Sequence, residues 1–189
     1  MDNRRGVKKM AKVRANKLTI VVLTGLLLFG FNLTTAGKAT FSPQRIVLNQ
    51  DNFTFEIIAG RYIPVGELNI WADQGYCYVR YRTFDNWYLT ETHLHLAMDW
   101  RQIPQNRNGN PIPGHFAYQM EHNYVTEYTY QIPLQDGKGL PRYGAAHCIV
   151  VKIENGKPVQ EETGWARNKV PPYLKFPGHN WAYYFEMRN

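Results

Sequence analysis

Three side chains able to bind protons or metal ions recur at alternate positions of one short run. In Tyr88–Met98 (YLTETHLHLAM), Glu91, His93 and His95 stand at i, i+2 and i+4. Extended backbone places such residues on one face, and a rise of roughly 3.3 Å per residue sets the two imidazoles about 6.6 Å apart along the strand. Two imidazoles at that spacing can converge on one ion. His147, within Ala145-Ala146-His147-Cys148, offers a third nitrogen from a second strand. Three protein ligands and an open position make the catalytic zinc pattern, so a divalent metal is the one cofactor these residues suggest. The same residues fit another role. Glu91, His93 and His147 can pair as a polar cluster inside a sheet, where polar groups must find partners. Polar cluster and metal site both stay open on the sequence.

Other chemistry has less support. Ser42 is the only serine and lies outside any G-x-S-x-G context. No P-loop, G-x-G-x-x-G or EF-hand pattern is present. Glu91, Glu127, Glu161 and Glu162 could furnish a carboxylate pair, but spacing in sequence does not give their separation. No catalytic residue is assigned. Cys77 and Cys148, the only two cysteines, are expected to form a disulfide if the chain is exported. Asp99–Ala117 is a long Pro- and Gly-bearing connection, with Arg107, Asn108, Asn110 and His115 as candidate binding residues. It fits a rigid surface crossover equally well. Tyr76 and Tyr78 share a face with Arg80 and Arg82, and Tyr128 and Tyr130 form a similar pair on a later strand. Tyr and Arg are common in binding surfaces. Asn52-Phe53-Thr54 is an N-glycosylation sequon.

The elements that must position these residues read as strands. Apolar or alternating runs at Phe53–Ala59, Glu67–Ala72, Tyr76–Thr83, Tyr88–Met98, Tyr124–Pro133, Gly144–Glu154, Pro158–Trp165 and Trp181–Met187 are cut by Gly, Pro, Asn and Asp. Asn155-Gly156 is the strongest hairpin signal. An aromatic share of 14% also leans towards strands. The expected fold is all-β: an antiparallel β-sandwich of about eight or nine strands, immunoglobulin-like or jelly-roll-like, with a barrel as the main alternative.

The charge is localised. Of 22 basic residues, Arg4, Arg5, Lys8, Lys9, Lys12, Arg14 and Lys17 precede an uncharged stretch, Leu18–Phe31, and Asp2 is the one acid among them. The remainder is near neutral, so the basic stripe that tracks nucleic-acid phosphates is absent. A basic start, an apolar run and small or polar residues at Thr34 and Ala36 read as a secretory signal peptide over residues 1–37. An uncleaved membrane anchor is the alternative reading. Residues 38–189 then form one β domain, secreted or held in the cell envelope.

Several motifs occur in order: Trp87–Leu96 (WYLTETHLHL), Ile103-Pro104-Gln105, Gly109-Asn110-Pro111 with Pro113-Gly114, Ala145-Ala146-His147, Glu161–Trp165 (EETGW), and Phe176-Pro177-Gly178 with Asn180–Phe185 (NWAYYF). Together they resemble an uncharacterised family of exported domains in archaeal and bacterial surface proteins. There they read approximately LTETHLxV, IPQTxxGNPxPGxF, AAHAVV, ETAWG and FPGxNWATYF. The resemblance spans the chain from about Gly60 onward. It implies a surface or matrix role and carries over no catalytic residue. The expected function is a non-enzymatic module that binds a protein or glycan partner, self-associates, or builds an extracellular structure. The rival is a metal-dependent hydrolase or lyase using His93, His95 and His147.

Overall fold

The computed structural model describes residues 52–134 and 139–188. The expected leader and cleavage site, and Ser42, lie outside the described residues.

The described residues form nine strands: β1 (Phe53–Ala59), β2 (Ile63–Asp73), β3 (Tyr76–Thr83), β4 (Trp87–Ala97), β5 (Tyr118–Val125), β6 (Glu127–Pro133), β7 (Tyr143–Glu154), β8 (Lys157–Arg167) and β9 (Phe185–Glu186). Tight turns join the consecutive strands of the hairpins. Gln74-Gly75 and Asn155-Gly156, between the paired strands β2–β3 and β7–β8, have positive φ, as two-residue hairpin turns of the right twist require; Asp85-Asn86, also at positive φ, turns β3 into β4, which do not pair.

The all-β, antiparallel expectation holds. The strands follow one continuous hydrogen-bonded path, β5-β4-β7-β8-β1-β2-β3-β6, with β9 added to β7. The described strands join in one connected sheet, so the two separate sheets of the expected sandwich are not confirmed. β1 pairs with β2 on one side and β8 on the other, so the two halves are hydrogen-bonded into a nearly closed, barrel-like sheet.

The end strands β5 and β6 follow one another in the chain and meet at Thr126, whose carbonyl accepts from the Thr83 amide at 2.8 Å. Side chains close the seam between them. The Tyr130 hydroxyl donates to the Thr92 carbonyl at 3.0 Å and lies 2.8 Å from Thr92 Oγ1, which also contacts His122 Nε2 at 2.9 Å. Tyr81 reaches across from β3 and donates to the His93 carbonyl at 2.9 Å.

Two sequence expectations shift here. Tyr124–Pro133 does not run as one strand: β5 starts earlier, at Tyr118, and the chain turns at Thr126 into β6. Tyr128 and Tyr130 therefore face the core, with Tyr130 buried, and do not belong to an exposed surface. Of Trp181–Met187, only Phe185–Glu186 is ladder.

The described residues form two apolar cores. Phe55, Ile57, Leu68, Ile70, Val79, Leu89, Leu94, Val150 and Phe185 are among the residues filling the barrel. A second core lies outside, on the β4-β7-β8 face, where Ala145 and Trp165 pack with Ile103, Phe116, Phe176, Ala182 and Tyr183. These come from the 98–117 connection and the segment after β8. Burial of large aromatics fixes both irregular segments to the sheet.

Candidate functional site

A bulge decides which way the chemistry of β4 points. Leu89 pairs with Val150 while Glu91 pairs with Ile149, which leaves Thr90 as the extra residue. Leu89 and Thr92 are consequently both buried, with two residues between them. Glu91, His93 and His95 share the opposite, outer face.

Register then gathers a row. His93 lies opposite His147 of β7, and His147 opposite Trp165 of β8. On the other side His93 faces Gln119, and Glu91 faces Glu121, on β5. His147 Nδ1 and His93 Nδ1 are 3.3 Å apart, and His93 Nε2 is 3.9 Å from Glu91 Oε2. The His147 ring packs on Trp165 at 4.8 Å between centroids. Glu91, His93 and His147 thus come together.

The electrostatics follow from burial. Desolvation pulls the His147 pKa down to about 3, and the neighbouring His93 adds to that effect. Burial also lowers His93, against an opposing pull from Glu91. Both rings are neutral at neutral pH, so one Nδ1–H donates across the 3.3 Å contact and the other Nδ1 accepts. The Glu91 carboxylate beside His93 Nε2 favours a proton on that nitrogen.

His95 is turned to a different task. Its Nδ1 accepts from the Ala117 amide at 3.2 Å, and its ring meets the edge of Phe116. It anchors the end of the long connection. Among the described residues, no group of three His, Cys, Asp or Glu side chains is placed to hold a metal ion. The three-imidazole centre suggested by spacing is therefore not assembled. What forms is a pair of neutral imidazoles beside a shallow hollow of about 310 Å³, lined by Glu91, His93, Gln119, Met120 and Glu121. Glu121 and Gln119 do not stand out in the sequence because residues 118–123, between the long connection and the run from Tyr124, carry no strand signal.

The disulfide expectation is corrected. Cys77 and Cys148 are free, buried thiols. β3 and β7 lie on different parts of the barrel, with β8, β1 and β2 between them. Burial pushes each thiol up to about 12, which removes nucleophilic character as well.

The connection carrying Arg107, Asn108, Asn110 and His115 is tightly bonded. Asn106 Oδ1 accepts from the amides of Asn108 and Asn110, both at 3.0 Å. Asn110 Oδ1 accepts from the Asn180 amide at 2.9 Å and ties the loop to the chain's last segment. Gly109, at φ +75°, leaves no room for a Cβ, which would fall 2.6 Å from Pro177 Cγ. Asn110 is thus a tie, while Arg107, Asn108 and His115 are exposed.

A second polar surface lies on the outer face of β1, β2, β3 and β6. Thr54, Asn69, Arg80 and Thr129 stand opposite one another across the four strands, and Trp71, Tyr78 and Gln131 form the next row. Trp71 and Tyr78 stack at 5.2 Å with planes 9° apart. Arg80 lies over Trp71 at 5.6 Å and donates to Asn69 Oδ1 at 3.1 Å, and Asn69 donates to Thr54 Oγ1 at 3.2 Å. A hollow of about 350 Å³ sits here, lined by Asn52, Phe53, Thr54, Asn69, Ile70, Trp71 and Arg80. Alternation in β3 had already placed Tyr76, Tyr78, Arg80 and Arg82 on one face. Trp71 and Asn69 were legible only through pairing of β2 with β3.

The fold and these surfaces define a nearly closed antiparallel β domain with one imidazole-paired face and one aromatic, guanidinium-bearing face. Comparison of the chain with family models, with curated proteins and with solved structures finds no match.

Proposed function

We propose that this protein is an exported, non-enzymatic module of the cell surface or extracellular matrix that binds a partner through its outer sheet face. The observation that carries the reading is the Trp71–Tyr78 stack with Arg80 and Asn69 on β2 and β3. Aromatic and Arg side chains presented together on a rigid sheet are what recognition surfaces use. The basic, then apolar start of the chain supports export, and the ordered motifs resembling exported surface domains point the same way. On this reading the curled sheet is a flattened, sandwich-like barrel, a rigid platform rather than a reaction vessel. The imidazole pair supports the platform: its Nδ1 atoms are spent on each other.

The test is location and attachment. A C-terminally tagged full chain should be recovered in the envelope or medium with an N-terminus near residue 37–40. It should retain cell-surface material that the Trp71→Ala variant releases. Recovery of the chain in the cytosol with Met1 intact would refute export.

A further inference from the structure

We infer that the Trp71–Arg80 hollow binds an acidic saccharide, with a sugar carboxylate on the Arg80 guanidinium and the ring against Trp71. The inference rests on the proposed role as an exported binding module and names its ligand class. Charge complementarity is the first argument. Two arginines of β3 face outward on this sheet, and their surroundings differ. Arg82 lies between Glu67 on β2 and Glu127 on β6, so carboxylates stand opposite it on both sides. Arg80 lies between Asn69 and Thr129, both neutral. Among the described residues no carboxylate lies within ion-pair distance of Arg80, nor of Arg61, Arg82 or Arg107, while Arg101, Arg142, Arg167 and Arg188 each have one; Arg80 differs from Arg82 in that its cross-strand neighbours carry no charge. The fold also leaves the hydrogen bonding of this guanidinium incomplete, because its covered Nε has no acceptor. A ligand carboxylate at the terminal nitrogens supplies the missing charge.

The rest of the lining sets the ligand class. Asn52, Thr54 and Asn69 bring two carboxamides and a hydroxyl beside one indole. Sugar hydroxyls need paired donors and acceptors, which carboxamides provide at once. The apolar face of a pyranose needs an aromatic surface. Trp71 is half-buried and held in place by Tyr78, so its position is fixed before a ligand arrives. A hollow of about 350 Å³ is of monosaccharide to disaccharide size. An acidic peptide would satisfy Arg80 but would bring no hydroxyls to the Asn52 carboxamide and to the hydrogen-bonding capacity that Asn69 and Thr54 keep beyond their bonds to Arg80 and to each other.

The experiment uses the full chain purified from a host that does not glycosylate Asn52. Binding is followed by tryptophan fluorescence and calorimetry, with oligogalacturonate as probe, neutral oligogalactan and polyglutamate as comparisons. Oligogalacturonate should bind, with both comparisons at least tenfold weaker. Trp71→Ala and Arg80→Gln should each weaken binding about tenfold or more, and Arg80→Lys should recover part of the loss. Lys157→Gln, exposed at the start of β8, should change nothing. Thermal melts of each variant separate lost binding from lost folding, since Gln can still donate to Asn69. Equal binding of polyglutamate would show that charge alone is read, and equal binding of oligogalactan would remove the role of Arg80. Either result overturns the inference, as does full binding by Arg80→Gln. A chain that is exported and retains surface material through Trp71, yet ignores oligogalacturonate, would overturn the ligand class and leave the proposed function standing.

Discussion

Acid should unfold this domain through His147. The ring is 8% exposed, packed on Trp165, and bonded to His93 Nδ1 at 3.3 Å. Its pKa falls from an ordinary 6.5 to about 3 in the folded chain, chiefly because burial disfavours the charged form. The unfolded chain therefore binds a proton near pH 6.5 that the folded chain refuses until about pH 3. Stability is unaffected by this group above pH 6.5 and is lost as pH falls below it. Each pH unit in that window costs about 1.4 kcal/mol, so His147 alone should remove about 2 kcal/mol between pH 6.5 and pH 5. His93 and His95, both lowered by burial, act with the same sign. Denaturant midpoints at pH 7.5, 6.5, 5.5 and 5.0 would measure the slope above the range where most carboxylates titrate. His147→Phe keeps an aromatic against Trp165 and has no proton to take up. It should cost about 1 kcal/mol at pH 7.5 through the lost bond to His93, and should flatten the slope by about 2 kcal/mol over the window. A wild-type domain equally stable at pH 7.5 and 5.0, or a His147→Phe variant with the wild-type slope, would refute the reasoning.

Further outcomes follow from packing. Cys77 and Cys148 should titrate as two thiols in denaturant without reductant, and neither should react quickly in the native protein; a single crosslinked species on a non-reducing gel would contradict this. Gly144→Ala sets a Cβ 2.4 Å from the Phe185 ring, which is fully buried on Phe55, and should cost roughly 1–3 kcal/mol in chemical denaturation. Asn110→Ala removes the acceptor for the Asn180 amide and should cost about 1 kcal/mol, with faster proteolysis in the 105–111 loop as a second readout.

Much of the fold was legible because hairpins are local. Period-two alternation and paired turn residues place β1, β3, β4, β7 and β8 within a few residues of their bounds. The errors share a cause. Tyr118–Val125 alternates weakly, and its burial pattern is almost wholly exposed or half-exposed, since only one edge of β5 is paired. With no apolar alternation to read, the end of β5 merged with the strand after it, and the choice between surface and core for Tyr128 and Tyr130 stayed open until the structure placed them against the core. Whether the sheet forms one curled path or two layers depends on the β1–β8 pairing, a contact between residues more than 100 positions apart. No local signal encodes it. The disulfide failed for the same reason: two inward-facing cysteines say nothing of how far round the barrel they lie.

The candidate site divides along the same line. Which residues of β4 share a face was readable from spacing, and the pairing of His93 with His147 needed only the antiparallel register of β4 and β7. The convergence of three imidazoles was not readable, because His95 sits where a loop amide requires an acceptor. The ordered motifs show what such signals measure. Ile103, Ala145, Trp165, Phe176, Ala182 and Tyr183 come from five separated stretches, yet all pack into the outer core on the β4-β7-β8 face. Asn110 and Gly178 meet where a Cβ on the glycine would lie on the asparagine side chain, and Gly109 turns against Pro177. These motifs hold two irregular segments onto a sheet, a task that needs particular shapes at particular places and yields a pattern as specific as any catalytic one. The face proposed to bind a ligand is elsewhere, built from Trp71, Tyr78, Arg80 and Asn69, and it carries no run of residues that would stand out as a motif. Cross-strand rows assemble it from one residue per strand, so only the register makes it visible.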